Sequence, residues 1–278
     1  MKKTIWGNTI VKNEGKFLWF ALMSVVDFLD KILVWDTGSS DNTVAIINEV
    51  KKRKKGEIEF REIGEVDEIR FTYARQKMLD QSNCDWIFIL DGDEVWWQSS
   101  IKAVIDTISK KGDELDLIVN SYINAVGDIY HYQDESAGQY HLAGRKGHLN
   151  VRAINRKLPG LHVDKPYGQE GYFDKDEKRI QDRDPRRIMF LDEPYLHLSN
   201  LPRSSQTKGD LAVMQRAKKT KPEIGIKFSS TFKYPNVFYD NWPKIVPNPW
   251  QKMPSNFKLK AFIETPVRKL KRKFFKNE

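Results

Sequence analysis

The chain has 278 residues, 40% of them hydrophobic and 12% aromatic, which suits one large domain with a substantial core, or one domain with a tail. No apolar run approaches the ~20 residues that cross a bilayer; Gly7, Asn8 and Lys12 interrupt the apolar segment behind Met1-Lys-Lys-Thr-Ile-Trp6, so this start does not read as a signal peptide; and a single cysteine, Cys84, excludes an intramolecular disulfide framework and points to a reducing cytosol. The net charge of +9 gathers near the C-terminus and does not by itself choose between nucleic acid, anionic lipid and phosphorylated ligands.

Thr4 to Val11 reads as a first strand, followed by the turn Lys12-Asn13-Glu14-Gly15. Leu18, Leu22, Val25 and Leu29 recur at helical spacing and predict an amphipathic helix packed on a sheet. Lys31 to Trp35 is a second strand, ending in Asp36-Thr-Gly-Ser-Ser-Asp-Asn-Thr43, where Ser40 or Asp41 can cap a helix carrying Val44, Ile47 and Val50. The basic run Lys51 to Lys55 suits a solvated helix end. Ile58 to Ile63 is a third strand, and Phe71, Ala74, Met78 and Leu79 mark a third helix with Arg75 near its middle. Strand and helix thus alternate, which predicts a parallel sheet with helices on its faces. No Gly-rich dinucleotide fingerprint and no phosphate-binding Gly-Lys-Ser/Thr loop occurs at any turn.

The most informative stretch is Trp86-Ile-Phe-Ile-Leu-Asp-Gly-Asp-Glu94. Five apolar residues predict a strand buried on both faces. Burying Asp91 and Asp93 unpaired would be very costly, so they belong at the strand's carboxyl end, the edge of an open α/β sheet where ligands bind. Asp-x-Asp there offers two hard oxygen donors, and Gly92 lets the backbone come close; a Mg²⁺ or Mn²⁺ ion carrying a diphosphate suits such a turn. The spacing of acids is not that of an EF-hand loop.

After Asp93, Ile101, Val104, Ile105 and Ile108 predict one more helix. Leu115 to Ile123, Gly127 to Tyr132 and Leu149 to Ile154 are strand-like, so residues 115–200 read as a mixed, partly antiparallel half of a cleft. Arg203 to Lys219 has helical composition, with Leu211, Met214 and Ala217 as a buried stripe. Residues 220–256 carry six prolines and several aromatics and predict an irregular segment held by its rings. His131, His141, His148 and His162 form no spaced metal-binding set.

Four elements together, Val11-Lys-Asn-Glu14, Asp36 to Thr43, Arg75 and Asp85 to Glu94, resemble family 2 glycosyltransferases of the GT-A fold in order and spacing, over residues 1–95. The resemblance implies an α/β, Rossmann-like, mostly parallel sheet with helices on both faces, a nucleotide-sugar half at 1–95 and an acceptor half at 96–219. It also implies roles: Val11, Lys12, Asn13 and Glu14 lining the nucleotide pocket, Asp36 bonded to the base or ribose, Arg75 near the diphosphate, and Asp91 with Gly92 at the ribose or a metal-bound water. Asp93 would hold Mg²⁺ or Mn²⁺ directly, and Glu94 would support it or touch the sugar. His197 resembles the late histidine that completes the metal site in some GT-A enzymes; a satisfied core histidine is the alternative. Many family members have a His-Glu or Glu-Asp pair where this chain has Gln169-Glu170, which makes Glu170 the candidate base, with Asp164 as rival and Asp174 behind. The implied activity is inverting transfer of a sugar from a UDP-sugar or related donor to a hydroxyl, on a cell-envelope glycan or lipid-linked acceptor. The rival readings are a nucleotidyltransferase, which would show a Gly-rich basic first turn, and a non-catalytic nucleotide- or carbohydrate-binding module. Finally, Thr265-Pro266 reads as a helix start, with Val267, Leu270 and Phe274 on one face and Arg268, Lys269, Lys271, Arg272, Lys273 and Lys276 around them. Such a basic amphipathic tail fits the inner, anionic face of the cytoplasmic membrane, or else a docked solvated helix; nucleic acid is not expected.

Overall fold

In the computed structural model, which describes residues 2–53, 58–216 and 221–274, strand and helix alternate through the first part of the chain. The order is β1 (Ile5–Val11), α1 (Leu18–Val25), β2 (Lys31–Asp36), α2 (Thr43–Arg53), β3 (Ile58–Glu62), α3 (Glu68–Gln81) and β4 (Trp86–Ile89). The four strands pair in parallel, in the spatial order β4-β1-β2-β3. Successive side chains of β2 explain the helices on both faces. Ile32 and Val34 join a cluster with Leu22 of α1 and Ile46 and Val50 of α2, while Leu33 and Trp35 meet Ala74 and Met78 of α3. The predicted parallel α/β sheet is therefore present.

Where β1 and β4 begin, Asp85 ties them together. Its Oδ2 accepts from Thr4 N (2.9 Å) and Thr4 Oγ1 (3.1 Å), and Lys157 Nζ lies 2.9 Å from its carboxylate. The Thr4 backbone N–H and then Lys157 lower this carboxyl from 3.8 to about 2. A depressed carboxyl stabilises the fold above its unfolded value and loses that contribution as pH falls through the folded one. Asp85→Asn is thus expected to lower the melting temperature at neutral pH, and the gap to wild type should close between 3.8 and about 2. Thermal unfolding across that range checks it; a gap that persists at the acid end would contradict it.

The second part of the chain adds β5 (Glu94–Trp96), α4 (Gln98–Lys111), β6 (Leu117–Val126), β7 (Asp128–Tyr132), the short hairpin β8 (Tyr140–Leu142) with β9 (Arg145–Gly147), and β10 (Leu149–Asn155). Beyond them come β11 (His162–Asp164), β12 (Gly171–Phe173), β13 (Ile188–Asn200) and β14 (Ile226–Lys227). β10 lies antiparallel between β4 and β6, which extends the parallel sheet into a mixed one. β13 runs parallel to β6, and its C-terminal part also pairs antiparallel with β5, opposing His197 to Glu94. β5 has three residues, too few for a hydrophobic period, so the sequence did not reveal it.

Three expectations need correction. α1 is not amphipathic but buried on nearly every side, because the proline- and aromatic-rich segment covers its outer face: the Phe20 ring stacks on Phe238 at 4.7 Å and meets Trp242 edge-on at 5.3 Å. Residues 203–215 form turns rather than a helix, and Leu211, expected in a buried stripe, is exposed; hydrogen bonds from Arg203, Ser204 and Arg216 organise this segment instead of an apolar face. The last helix, α5 (Ser255–Phe274), starts ten residues before Thr265, and Pro266 lies inside it. Thr265 does not cap it: its Oγ1 donates to Ala261 O and accepts from Ile224 N at 2.8 Å. Lys54, Lys55, Ala217, Lys218, Lys219 and Lys276 lie outside the described residues.

Candidate functional site

Two loops meet at the carboxyl edge of the parallel strands. After β1, Asn13 takes the left-handed conformation (φ +52°), and its buried amide fastens the loop after β2: Oδ1 accepts from Ser40 N (2.8 Å), and the Asn13 N–H donates to Ser39 Oγ (2.8 Å). Glu14 N donates to Thr43 Oγ1, and Thr37 N to Val11 O, at 2.8 and 2.9 Å. Asp36 sits at the strand end as expected, but it is buried and both its oxygens are engaged locally, by Ser39 Oγ and by the N–H groups of Gly38 (3.0 Å) and Ser39 (2.9 Å). Asp41 binds Thr43 N (3.0 Å) at the head of α2 and also Gly15 N (3.1 Å), so it shapes the loop as well as the helix start. Lys12 reaches out to Glu65 (3.2 Å).

The acidic turn after β4 lies beside them. An added side-chain carbon at Gly92 would come within 2.9 Å of Glu14, which is why the turn can approach the β1 loop only with glycine there. Asp91 keeps 42% of its side chain exposed, while Asp93 and Glu94 are fully buried. Burial of those charges is met by arginines from distant segments. Arg203 Nη1 donates to Asp93 Oδ2 and lies 3.2 Å from Glu14. Arg216 bridges Glu14 (2.6 Å), Asp210 (3.0 Å) and the carbonyls of Lys12 and Asn13. Arg152 of β10 pairs with Glu94 (2.5 Å), reaches Asp91 (3.4 Å) and donates to Tyr195 Oη at 3.0 Å. His197 Nε2 stands 3.6 Å from Asp93 and 3.8 Å from Glu94, its ring edge-on to Tyr122. The placement follows from the β5–β13 pairing, in which Leu198 N donates to Asp93 O at 2.9 Å.

Burial sets the protonation of these acids against the pull of the arginines. Burial pushes Glu14 up to about 7, against Arg203 and Arg216 and with help from Asp93 and Asp210. Burial also drives Glu94 well above the usual carboxylate range despite Arg152. Asp91 behaves oppositely: desolvation raises it, but Arg152 and Arg75 outweigh that and leave it low.

Across the cleft, α3 carries Arg75, with the β11–β12 hairpin docked on it. Thr72 Oγ1 donates to Lys165 O (2.6 Å), Tyr167 N to Glu68 O (3.0 Å), and the Phe71 and Tyr167 rings meet edge-on at 4.7 Å. Burial lowers the Arg75 guanidinium, but Tyr172, Asp91 and Glu170 outweigh it and hold the group above its ordinary value. Arg75 thus feels both the acidic turn and Glu170, and its Nε has no hydrogen-bond partner among the described residues. Glu170 accepts from Gly168 N in the hairpin loop. Asp164 is half exposed beside Lys165 (3.4 Å), whose backbone N–H holds the carboxyl low. Asp174 is buried, bound by Arg183 and by the N–H groups of Asp176 (3.0 Å) and Lys178 (3.1 Å), which makes it a structural acid.

The structure thus gathers Val11 to Glu14, Asp36, Asp91 to Asp93 and His197 at one sheet edge, with Arg75 and Glu170 facing them. Sequence reading missed Arg152, Arg203 and Arg216, since each stands alone in its own segment. The one available hint was the need for countercharge implied by three acids at a buried strand end. Among the described residues, no three His, Cys, Asp or Glu side chains are arranged to hold a metal ion, so Asp91, Asp93 and His197 are not a preassembled ligand set.

The family model described as "Glycosyl transferase family 2" matches residues 9–175. The SPbeta prophage-derived glycosyltransferase SunS of Bacillus subtilis (strain 168) is 27% identical over 205 residues, covering 68% of this chain and 44% of that protein, and the SunS glycosyltransferase of Bacillus phage SPbeta matches equally. The chain therefore spans less than half the length of these curated relatives. Among solved structures, S. aureus TarS 1-349 in complex with UDP superposes with a TM-score of 0.48 at 15% identity, covering 70% of this chain and 60% of that one. Glucosyl-3-phosphoglycerate synthase from Mycobacterium tuberculosis, with Mn²⁺, UDP and phosphoglyceric acid, gives 0.46 at 15% identity, covering 77% and 75%.

Proposed function

Since the chain belongs to glycosyl transferase family 2, we propose that it moves a sugar, with inversion, from a nucleoside diphosphate, UDP first among the candidates, to a hydroxyl of a glycan or lipid-linked acceptor. The observation that carries this reading is Arg75 of α3, whose electrostatic partners are Tyr172, Asp91 of the acidic turn and Glu170 of the facing hairpin. One cleft thereby offers a cation for a leaving diphosphate and a carboxylate for an acceptor proton.

The chemistry places each group. The acceptor oxygen forms a bond to the anomeric carbon, the bond to the diphosphate oxygen breaks, and the electron pair leaves with the diphosphate. Arg75 stabilises that growing charge. Glu170 takes the acceptor proton; Asp164, tied to Lys165 and held low, is the poorer base. Donor set and geometry fit a divalent cation that arrives with the diphosphate: Asp91 is open to the cleft, and Asp93 and His197 are adjacent. Mg²⁺ and Mn²⁺ commonly take one or two carboxylates and complete their shell with phosphate oxygens. Such an ion would polarise the diphosphate as the sugar departs.

A thermal-shift series tests both transfer site and cation. With Arg203 already on Asp93, Mn²⁺ alone is expected to move the melting temperature little, and Mn²⁺ with UDP or a UDP-sugar to raise it clearly, since a ligand of the folded state stabilises by its concentration over its Kd. Sugar transfer to a model acceptor, in excess over donor hydrolysis, then confirms the activity. No shift with any nucleotide sugar, with or without metal, would refute the reading.

A further inference from the structure

α5 is docked the wrong way round for a helix whose task is to cover a core. Its inward face carries Ala261, Glu264, Thr265, Arg268 and Arg272. This face holds the body of the protein by polar contacts: Arg272 forks onto Glu223 (2.5 and 2.6 Å), Arg268 donates to Pro222 O (3.1 Å), and Thr265 Oγ1 accepts from Ile224 N (2.8 Å). Phe257 at the helix start is half-buried beside Gly127, but the other large apolar residues look outward. Leu259, Phe262, Ile263, Val267, Leu270 and Phe274 are 54% to 70% exposed, and their steps of three and four residues draw one continuous stripe along the helix. At 100° per residue, Lys258, Lys269 and Lys273 border the stripe on one side and Lys260 and Lys271 on the other, all exposed. The only acid of the helix, Glu264, is on the inward face beside Arg268.

An apolar stripe between two rows of lysines, with every acid turned away, matches the layering of an anionic bilayer: acyl chains in the middle, phosphates on either side. Among the described residues no helix is long and apolar enough to cross a membrane, which suits a helix lying in the interface plane. We infer that the outward face of α5 docks the protein on an anionic lipid surface, with the apolar stripe inserted among the acyl chains and the flanking lysines on headgroup phosphates. The inference stands whether or not the transfer reaction does.

Co-sedimentation of the whole protein with vesicles tests it. Wild type should pellet with phosphatidylcholine vesicles containing phosphatidylglycerol, about tenfold less with phosphatidylcholine alone, and progressively less as salt screens the lysines. The double variant Phe262→Ser with Leu270→Ser changes only exposed positions, so its melting temperature and nucleotide response should match wild type, while vesicle binding falls about tenfold or more. A wild type that stays in solution with anionic vesicles would overturn the inference, as would a double variant that pellets equally. If instead the wild type forms dimers that the double variant loses, with no vesicle binding in either, the stripe belongs to a second copy of the chain and the lipid assignment is wrong.

Discussion

Asp93→Asn is expected to lower sugar transfer by about 10² to 10³, the scale of losing a main stabiliser of developing charge, while leaving a folded protein. Steady-state rates with saturating donor, set beside a melting curve, read the two effects apart. Asparagine preserves the shape beside Arg203 but withdraws the buried charge beside His197. Alanine is the less informative change. Asp93 is wholly buried, and removing it leaves Arg203 facing only the more distant Glu14; deleting one partner of a buried pair costs roughly 3–5 kcal/mol. Wild-type turnover by Asp93→Asn, sustained in chelator, would remove both the acid and the cation from the mechanism.

Glu170→Gln should slow transfer by roughly 10² or more, the usual contribution of a general base, with donor binding preserved. Glutamine keeps the contact with the Gly168 N–H, so the loop should hold its form. Asp164→Asn, by contrast, should change the rate little, because that carboxylate is half exposed and tied to its own neighbour. Single-turnover measurements with donor already bound separate the chemical step from binding. If the Asp164 variant shows the deficit and the Glu170 variant does not, the base sits on β11 itself, and the cleft keeps its other roles.

The legible parts of the molecule are those governed by local periodicity. Ile32 to Trp35 and Trp86 to Ile89 announce strands buried on both faces, and the acids at their ends must emerge at an edge. Asp91, Asp93, Arg75 and His197 could be placed from those elements and from the spacing of the family's motifs. The arginines could not, since Arg152, Arg203 and Arg216 meet their acids only through tertiary structure. Within the helix expected over residues 203–219, residues 203–215 form turns for a related reason: helix-forming composition there is overruled by side chains that bond to the loops after β1 and β2. Asp36 shows a subtler miss. Its position was read correctly, but its oxygens are held by its own turn, which no spacing reveals.

The pairing of β5 with β13, with the arginines beyond it, also constrains how the chain can be assembled. Asp93 and Arg203 are 110 residues apart in sequence. During synthesis the parallel half emerges first, with its acids clustered and their partners not yet made. Closing so long a loop is entropically unfavourable, and such distant contacts tend to form late. A fragment ending after β5 would hold most of the residues proposed to contact the nucleotide, with the acids of the turns, yet none of the guanidiniums of Arg152, Arg203 and Arg216 that pair with those acids. The two halves of the cleft are therefore not modules that could be cut apart, recombined or expressed singly; the electrostatic integrity of the first is written into the second half of the chain.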